Sequence, residues 1–206
     1  MKSYKLLCII GPDGSGKSSL INAVKLHLQD ATIMTIWDLM KEPVMNSIVP
    51  FKKPEEVDNY MSYLHHESRS LFLIHCLAEA KELARQKGSS FILTDSYWYK
   101  YYATELAHGA SSEYLDKLVS VFEKPDYIFY ITAEEKLTAE RKKSFSRYEC
   151  GFAQEINEQS FMKFQQSAIG HLQKLMQNIP YKPLKADNSV SENCRFILDE
   201  INITIK

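Results

Sequence analysis

The chain reads as an α/β protein on a five-stranded parallel sheet flanked by helices, and three observations predict it. Short apolar runs alternate with amphipathic helical patterns along the whole sequence, as a sheet with crossover helices on both faces requires. The first of these runs, Lys5 to Ile10, passes at once into a glycine-rich loop and then a helical pattern. A length of 206 residues, 45% apolar and 25% charged, suffices for one full core and excludes a disordered or collagen-like chain.

The elements follow in order. Lys5 to Ile10 is a buried strand, and Ser18 to Gln29 a helix with Leu20, Ile21, Val24 and Leu28 on one face. Thr32 to Trp37 is the second strand. Pro54-Glu55-Glu56 opens a helical pattern that runs with interruptions to about Gln86, where Gly88 can supply a left-handed cap. Phe91 to Thr94 is the third strand. Ser111 or Ser112 opens a helix carrying Leu115, Leu118, Val119 and Phe122, ended by Pro125 before the strand Tyr127 to Ile131. Thr132-x-x-Glu135 is a capping box for another helix. Phe161, Phe164, Ala168, Leu172 and Leu175 form a long stripe ending before Pro180; Lys182 to Ala186 is the last strand and Arg195 to Ile201 the closing helix. No repeat or low-complexity linker divides the chain, so residues 1–206 are expected to form a single domain.

Charge and cysteine usage narrow the function classes. Twenty-five basic against 26 acidic residues leave a net charge of -1, so there is no global cationic field for nucleic acid or an anionic membrane surface. The run Leu6 to Ile10 is far too short to span a bilayer. Cys8, Cys76, Cys150 and Cys194 are dispersed without the spacing of a zinc site, and reduced thiols in a cytoplasmic protein are expected.

Gly11-Pro12-Asp13-Gly14-Ser15-Gly16-Lys17-Ser18 fits G-x-x-x-x-G-K-[S/T] between a strand and a helix, which is the context that the motif requires. Glycines let successive N–H groups turn inward onto phosphate oxygens, and the helix N-terminus adds its partial positive charge. A P-loop NTPase fold is therefore expected, with Gly11, Gly14, Ser15, Gly16, Lys17, Ser18 and Ser19 around the phosphates of ATP. Lys17 reaches the β/γ-phosphates and the Ser18 hydroxyl a Mg²⁺ ion. Asp95, at the end of the third strand, stands where such a protein places a metal carboxylate; taken alone it reads equally as a turn residue.

With these residues in place the chain resembles the thymidylate kinase family of nucleoside monophosphate kinases. The resemblance rests on the loop with Asp13, on Lys41-Glu42-Pro43 after the second strand, on Asp95-Ser96-Tyr97, and on Pro125-Asp126. It continues through Arg141, Arg147-Tyr148-Glu149 and Ala186-Asp187-Asn188-Ser189. It implies ATP-dependent phosphorylation of a nucleotide, with thymidylate as the default acceptor, and a homodimer. Asp13 would hold the acceptor sugar hydroxyl and Phe72 would stack on the base, with Tyr97, Tyr148 and Glu149 as further acceptor contacts. Gly14, following the loop acid, implies that the catalytic cations come from a lid.

The residues support such a lid independently. Arg141, Lys142, Lys143 and Arg147 follow a capped helix near Gly151, so residues 141–153 are expected to be mobile and to close over ATP. A solvated basic helix end is the plain alternative. The departures concern the acceptor. Ser96 replaces the arginine that grips the acceptor phosphate, Lys41 replaces another, and Cys76, beside His75, replaces the one that reads the base. Lys100, one helical turn from Ser96, is the candidate to restore the charge, if it is not a surface lysine. The aromatic run Tyr97 to Tyr102 could wall a pocket or pack in the interior, and His65 and His66 read as exposed loop residues. The alternatives are a different nucleotide or nucleoside acceptor, or a nucleotide-binding regulator without turnover.

Overall fold

The computed structural model describes residues 4–37, 53–132, 138, 142 and 144–203. Its elements in chain order are β1 (Lys5–Ile10), α1 (Lys17–His27), β2 (Ala31–Met34), α2 (Pro54–Tyr63), α3 (His66–Gln86) and β3 (Phe91–Asp95). Then come α4 (Tyr97–Ala107), α5 (Ser112–Val119), β4 (Tyr127–Thr132), a 3-10 turn (Tyr148–Cys150), α6 (Glu158–Met176), β5 (Lys182–Lys185) and α7 (Val190–Glu200). The five strands pair in the order β2-β3-β1-β4-β5, all parallel.

β1 sits at the centre because every residue after Lys5 is buried, as a strand covered on both faces must be. Its side chains alternate between two cores. Leu6, Cys8 and Ile10 pack with Leu73, Leu77 and Leu172 of α3 and α6, whereas Leu7 and Ile9 pack with Leu20, Val24, Ile197 and Leu198 of α1 and α7. The chain leaves β1 between its neighbours β3 and β4, so the loop after Ile10 lies where the strand order reverses. That crevice, outside the carboxyl ends of the strands, is where open α/β sheets bind ligands.

Several boundaries move for local reasons. The closing helix begins at Val190 rather than Arg195, because Ser189 caps it: its Oγ accepts from Glu192 N at 3.2 Å while Glu192 reaches back to Ser189 N at 2.7 Å. The interruption between Pro54 and Gln86 is a complete break between two helices at Leu64 and His65, both outside helical elements. α5 stops at Val119, well before Pro125, and β2 stops at Met34, short of Trp37. Gly88 takes the expected left-handed conformation, at φ 72°. Of the expected Thr132-x-x-Glu135 box only Thr132, the last residue of β4, lies among the described residues.

Candidate active site

The loop after β1 is shaped by glycines at two places where nothing else fits. Gly14 has φ 83°, and a Cβ there would stand 2.4 Å from the carbonyl oxygen of Thr138; at Gly11 a Cβ would stand 2.9 Å from that of Ile131. Ser15 N donates to Pro12 O at 3.2 Å, closing the turn. Helix α1 then opens at Gly16 with no capping side chain and no acidic residue in its first turn. Its leading N–H groups are left for an anion. Ser15 Oγ is also buried without a hydrogen-bond partner among the described residues.

Lys17 folds back under this loop. Only 5% exposed, its Nζ donates to Pro12 O at 2.7 Å and lies 3.9 Å from Asp95 Oδ1. Parallel pairing of β1 and β3 sets Ile9 opposite Asp95 and brings the carboxylate beside the loop. Ser18 Oγ donates to Asp95 Oδ2 at 3.2 Å. Among the described residues no three His, Cys, Asp or Glu side chains converge into a metal cage. A serine hydroxyl beside one carboxylate instead suits Mg²⁺, which keeps several waters and takes few protein ligands.

Ser96 corrects an expectation. It is fully buried with φ 61°; its N–H donates to Ile9 O at 2.8 Å and its Oγ to Asp95 Oδ1 at 2.9 Å. The hydroxyl faces the Asp95 carboxylate, and an arginine here would have to force a guanidinium into the core. Tyr97, expected as an acceptor contact, is likewise corrected. With φ 50° it turns into the core, is fully buried, and packs edge-on against Phe122 at 5.3 Å, its hydroxyl unpartnered among the described residues.

A cavity of about 430 Å³ opens beside the loop. It is lined by Pro54, Glu55, Asp58 and Met61 of α2, Lys100 and Tyr101 of α4, and Lys142, Phe145, Tyr148 and Glu149. Lys100 joins cavity to loop, because its Nζ donates to Asp13 Oδ1 at 2.6 Å. Desolvation alone would raise the Asp13 carboxyl, but the Lys100 charge overrides it and holds the group well below its ordinary range. Lys142 forms a parallel pair with Glu149 at 2.8 Å. Phe72 is half-buried against the core and edge-on to Tyr60 at 5.4 Å, and is not among the residues lining the cavity. Cys76 is buried, and His75 beside it is exposed. Lys41 and Arg141 lie outside the described residues.

The segment after Lys142 is bonded to three helices. Arg147 N and Tyr148 N donate to Asp58 of α2, Tyr148 Oη donates to Glu105 of α4 at 3.0 Å, and Gln165 of α6 donates to Glu149 O at 3.1 Å. The Arg147 side chain is exposed. Glu105 is 1% exposed and pairs with Arg69 at 2.9 Å; burial raises its carboxyl, and Arg69 opposes the shift. Sequence reasoning missed Asp58, Arg69 and Glu105. Arg69 and Glu105 stand 36 residues apart on different helices, and no local pattern announces such a pair.

Fold and site together define the class: this is the P-loop nucleotide-kinase fold. The thymidylate kinase of Candida albicans superposes with a TM-score of 0.69 at 18% identity, covering 97% of this chain and 92% of that one. The deoxyadenosine kinase of M. mycoides, solved with bound dATP, gives 0.64 at 16% identity, covering 96% and 99%. In sequence the chain is similar to a probable thymidylate kinase of Saccharolobus solfataricus, 26% identical over 132 residues, a stretch that spans 62% of this chain and 64% of that relative. No family model matches the chain. Its relatives by sequence and by fold are thus kinases of nucleotides and nucleosides. No helix among the described residues is long and apolar enough to cross a membrane, and the four cysteines are free and buried.

Proposed function

We propose that the chain is a Mg²⁺-dependent kinase that transfers the γ-phosphoryl group of ATP to a nucleoside monophosphate, thymidylate being the acceptor that the resemblance implies. One observation carries this reading. The loop, with its free helix N-terminus and buried Lys17, adjoins a nucleotide-sized cavity, and Asp13 and Lys100 bridge the two at 2.6 Å. In this reading the loop from Gly11 to Ser19 cradles the donor phosphates and Lys17 neutralises them. Ser18 and Asp95 hold the metal, with Ser96 steadying the carboxylate. Bound Mg²⁺ supplies charge neutralisation at the phosphate oxygens.

An acceptor phosphate oxygen attacks the γ-phosphorus in line as the bond to the β-bridging oxygen breaks, leaving ADP and a nucleoside diphosphate. A phosphate oxygen that is already anionic has no proton to surrender, so the site needs no histidine base; positioning and charge are the requirement. Asp13 orients the acceptor sugar, with Tyr148 and Glu149, which line the cavity, around the nucleoside. Lys41 and Lys100 face its phosphate, and Arg141 and Arg147 close from the lid to stabilise the phosphoryl group in flight. The reading includes a cytoplasmic homodimer.

A second reading, a nucleoside acceptor, is favoured by one fact: both lysines among the described residues lining the cavity are already paired with carboxylates, Lys100 with Asp13 and Lys142 with Glu149. Steady-state turnover with Mg²⁺ and ATP on thymidylate, deoxyadenylate, deoxycytidylate, thymidine and deoxyadenosine decides between them. Turnover of the monophosphates is the expected result. Turnover of nucleosides alone replaces the first reading with the second, and silence on every acceptor reduces the chain to a nucleotide-binding regulator.

A further inference from the structure

The 3-10 turn Tyr148–Cys150 starts at Arg147, which supplies no side-chain cap. Leading amides of a helical turn without a cap are left unsatisfied. Here a carboxylate 89 residues away satisfies them: Asp58 Oδ2 accepts from Arg147 N and Oδ1 from Tyr148 N, both at 2.9 Å. Two charge-assisted bonds to consecutive amides orient a backbone more strictly than one. Of the three helices that hold this segment, α2 contributes the largest share of the cavity wall, through Pro54, Glu55, Asp58 and Met61. A ligand seated against α2 therefore acts on the same helix that fixes the Arg147 backbone.

We propose that Asp58 is a positioning residue that couples acceptor binding in the cavity to the placement of Arg147. The inference rests on the phosphoryl-transfer reading above. It deepens that reading by giving a residue of the cavity wall a part in placing a cation of the neighbouring segment. The coupling runs both ways: an acceptor tightens donor binding by the same factor as the donor tightens acceptor binding.

The test measures affinity for the β,γ-imido analogue of ATP with Mg²⁺ by calorimetry, with and without saturating thymidylate, deoxyadenylate or deoxyadenosine. For the wild type the expected result is analogue binding tightened about fivefold or more by each probe that binds. In Asp58→Ala that factor falls to within about twofold of unity, Arg147→Ala behaves alike, and the double variant loses nothing further. Asp58→Asn, which keeps one acceptor oxygen for the two amides, is intermediate, and it decides the matter with Arg147→Ala if Asp58→Ala does not fold. Full coupling in Asp58→Ala with a lowered unfolding temperature overturns the proposal and leaves Asp58 as a fastener. No coupling in the wild type with any probe that binds overturns it too. Wild-type turnover on the same probes separates the two failures: turnover without coupling sinks this inference alone, and coupling without turnover sinks the transfer reading alone.

Discussion

The loop from Gly11 to Ser18 and the turn from Arg147 to Cys150 each carry a cation beside one cavity, yet the loop leaves its leading N–H groups open whereas Asp58 takes those of the turn, and their backbones are placed differently. The loop's turn is closed from within, Ser15 N and Lys17 Nζ both bonding to Pro12 O within five residues, and side chains alone tie it to the distant Lys100 and Asp95. The turn has a reciprocal pair of its own, Ser146 N to the Glu149 carboxylate and Glu149 N to Ser146 Oγ, but it is placed from outside, by Asp58, Glu105 and Gln165 on three different helices. The bond from Ser15 N to Pro12 O does not involve the Lys17 side chain, so the loop should keep its turn when that side chain is replaced. An element suspended from buried charges should lose shape and function together.

Lys17→Met breaks the comparison on the loop side and carries the largest expected effect. Phosphoryl transfer should fall about a thousandfold or more, while stability changes by no more than about 1 kcal/mol, since methionine keeps much of the buried stem. Turnover and chemical denaturation of the one purified variant check both halves, and near wild-type turnover would remove the loop from the chemistry.

On the turn side, Glu105→Ala strands Arg69 as an unpaired buried charge and takes the acceptor from Tyr148 Oη. Losing one partner of a buried pair costs about 3–5 kcal/mol. Urea denaturation should show that loss, together with reduced turnover at saturating substrate. A stability change below about 1 kcal/mol would mean that the turn does not depend on the pair.

The smallest effect is pH-dependent and belongs to the turn alone. His108 stacks at 5.1 Å on Tyr148, 5.0 Å on Phe152 and 4.4 Å on Phe164, with no partner for Nε2 among the described residues. Burial, and then the Arg69 charge, lowers its imidazole to about 3. The unfolded chain titrates near the ordinary value of about 6.5. Between those values the unfolded chain holds more protons, so stability is fully present above pH 6.5 and falls as pH drops toward 3. The slope approaches about 1.4 kcal/mol per pH unit. Denaturation at pH 7, 6 and 5 should show the decline, and His108→Phe should flatten it; an unchanged slope in that variant assigns the decline elsewhere.

Legibility in the sequence follows the same division. The five strands, their alternation with helices and the phosphate loop come from contiguous patterns whose causes lie within a few residues: apolar runs, helical spacing, and glycines at Gly11, Gly14 and Gly16. Boundary errors arose where a cap decided the matter, as at Ser189, or where a helix stopped without a breaker, as at Val119. Ser96 and Tyr97 were legible as residues after the carboxylate that ends β3 but not in direction. Their positive φ values, 61° and 50°, turn the chain into the core, and neither residue type favours that conformation.

The sequence by itself determined the glycine loop between β1 and α1, because such a loop is made of backbone and needs only the right residues in unbroken order. Tertiary structure alone decided what surrounds it. The Asp13–Lys100 bridge spans 87 residues, the Arg69–Glu105 pair 36, and the bond from Arg147 N to Asp58 89. Each joins charges or amides whose partner is chosen by which strand neighbours which and which helix crosses the sheet face. A sequence read residue by residue shows every member of these pairs as one more charged side chain on a helix or loop. Only the fold brings them together, and for Arg69 and Glu105, which it takes out of water, it makes the partner a necessity.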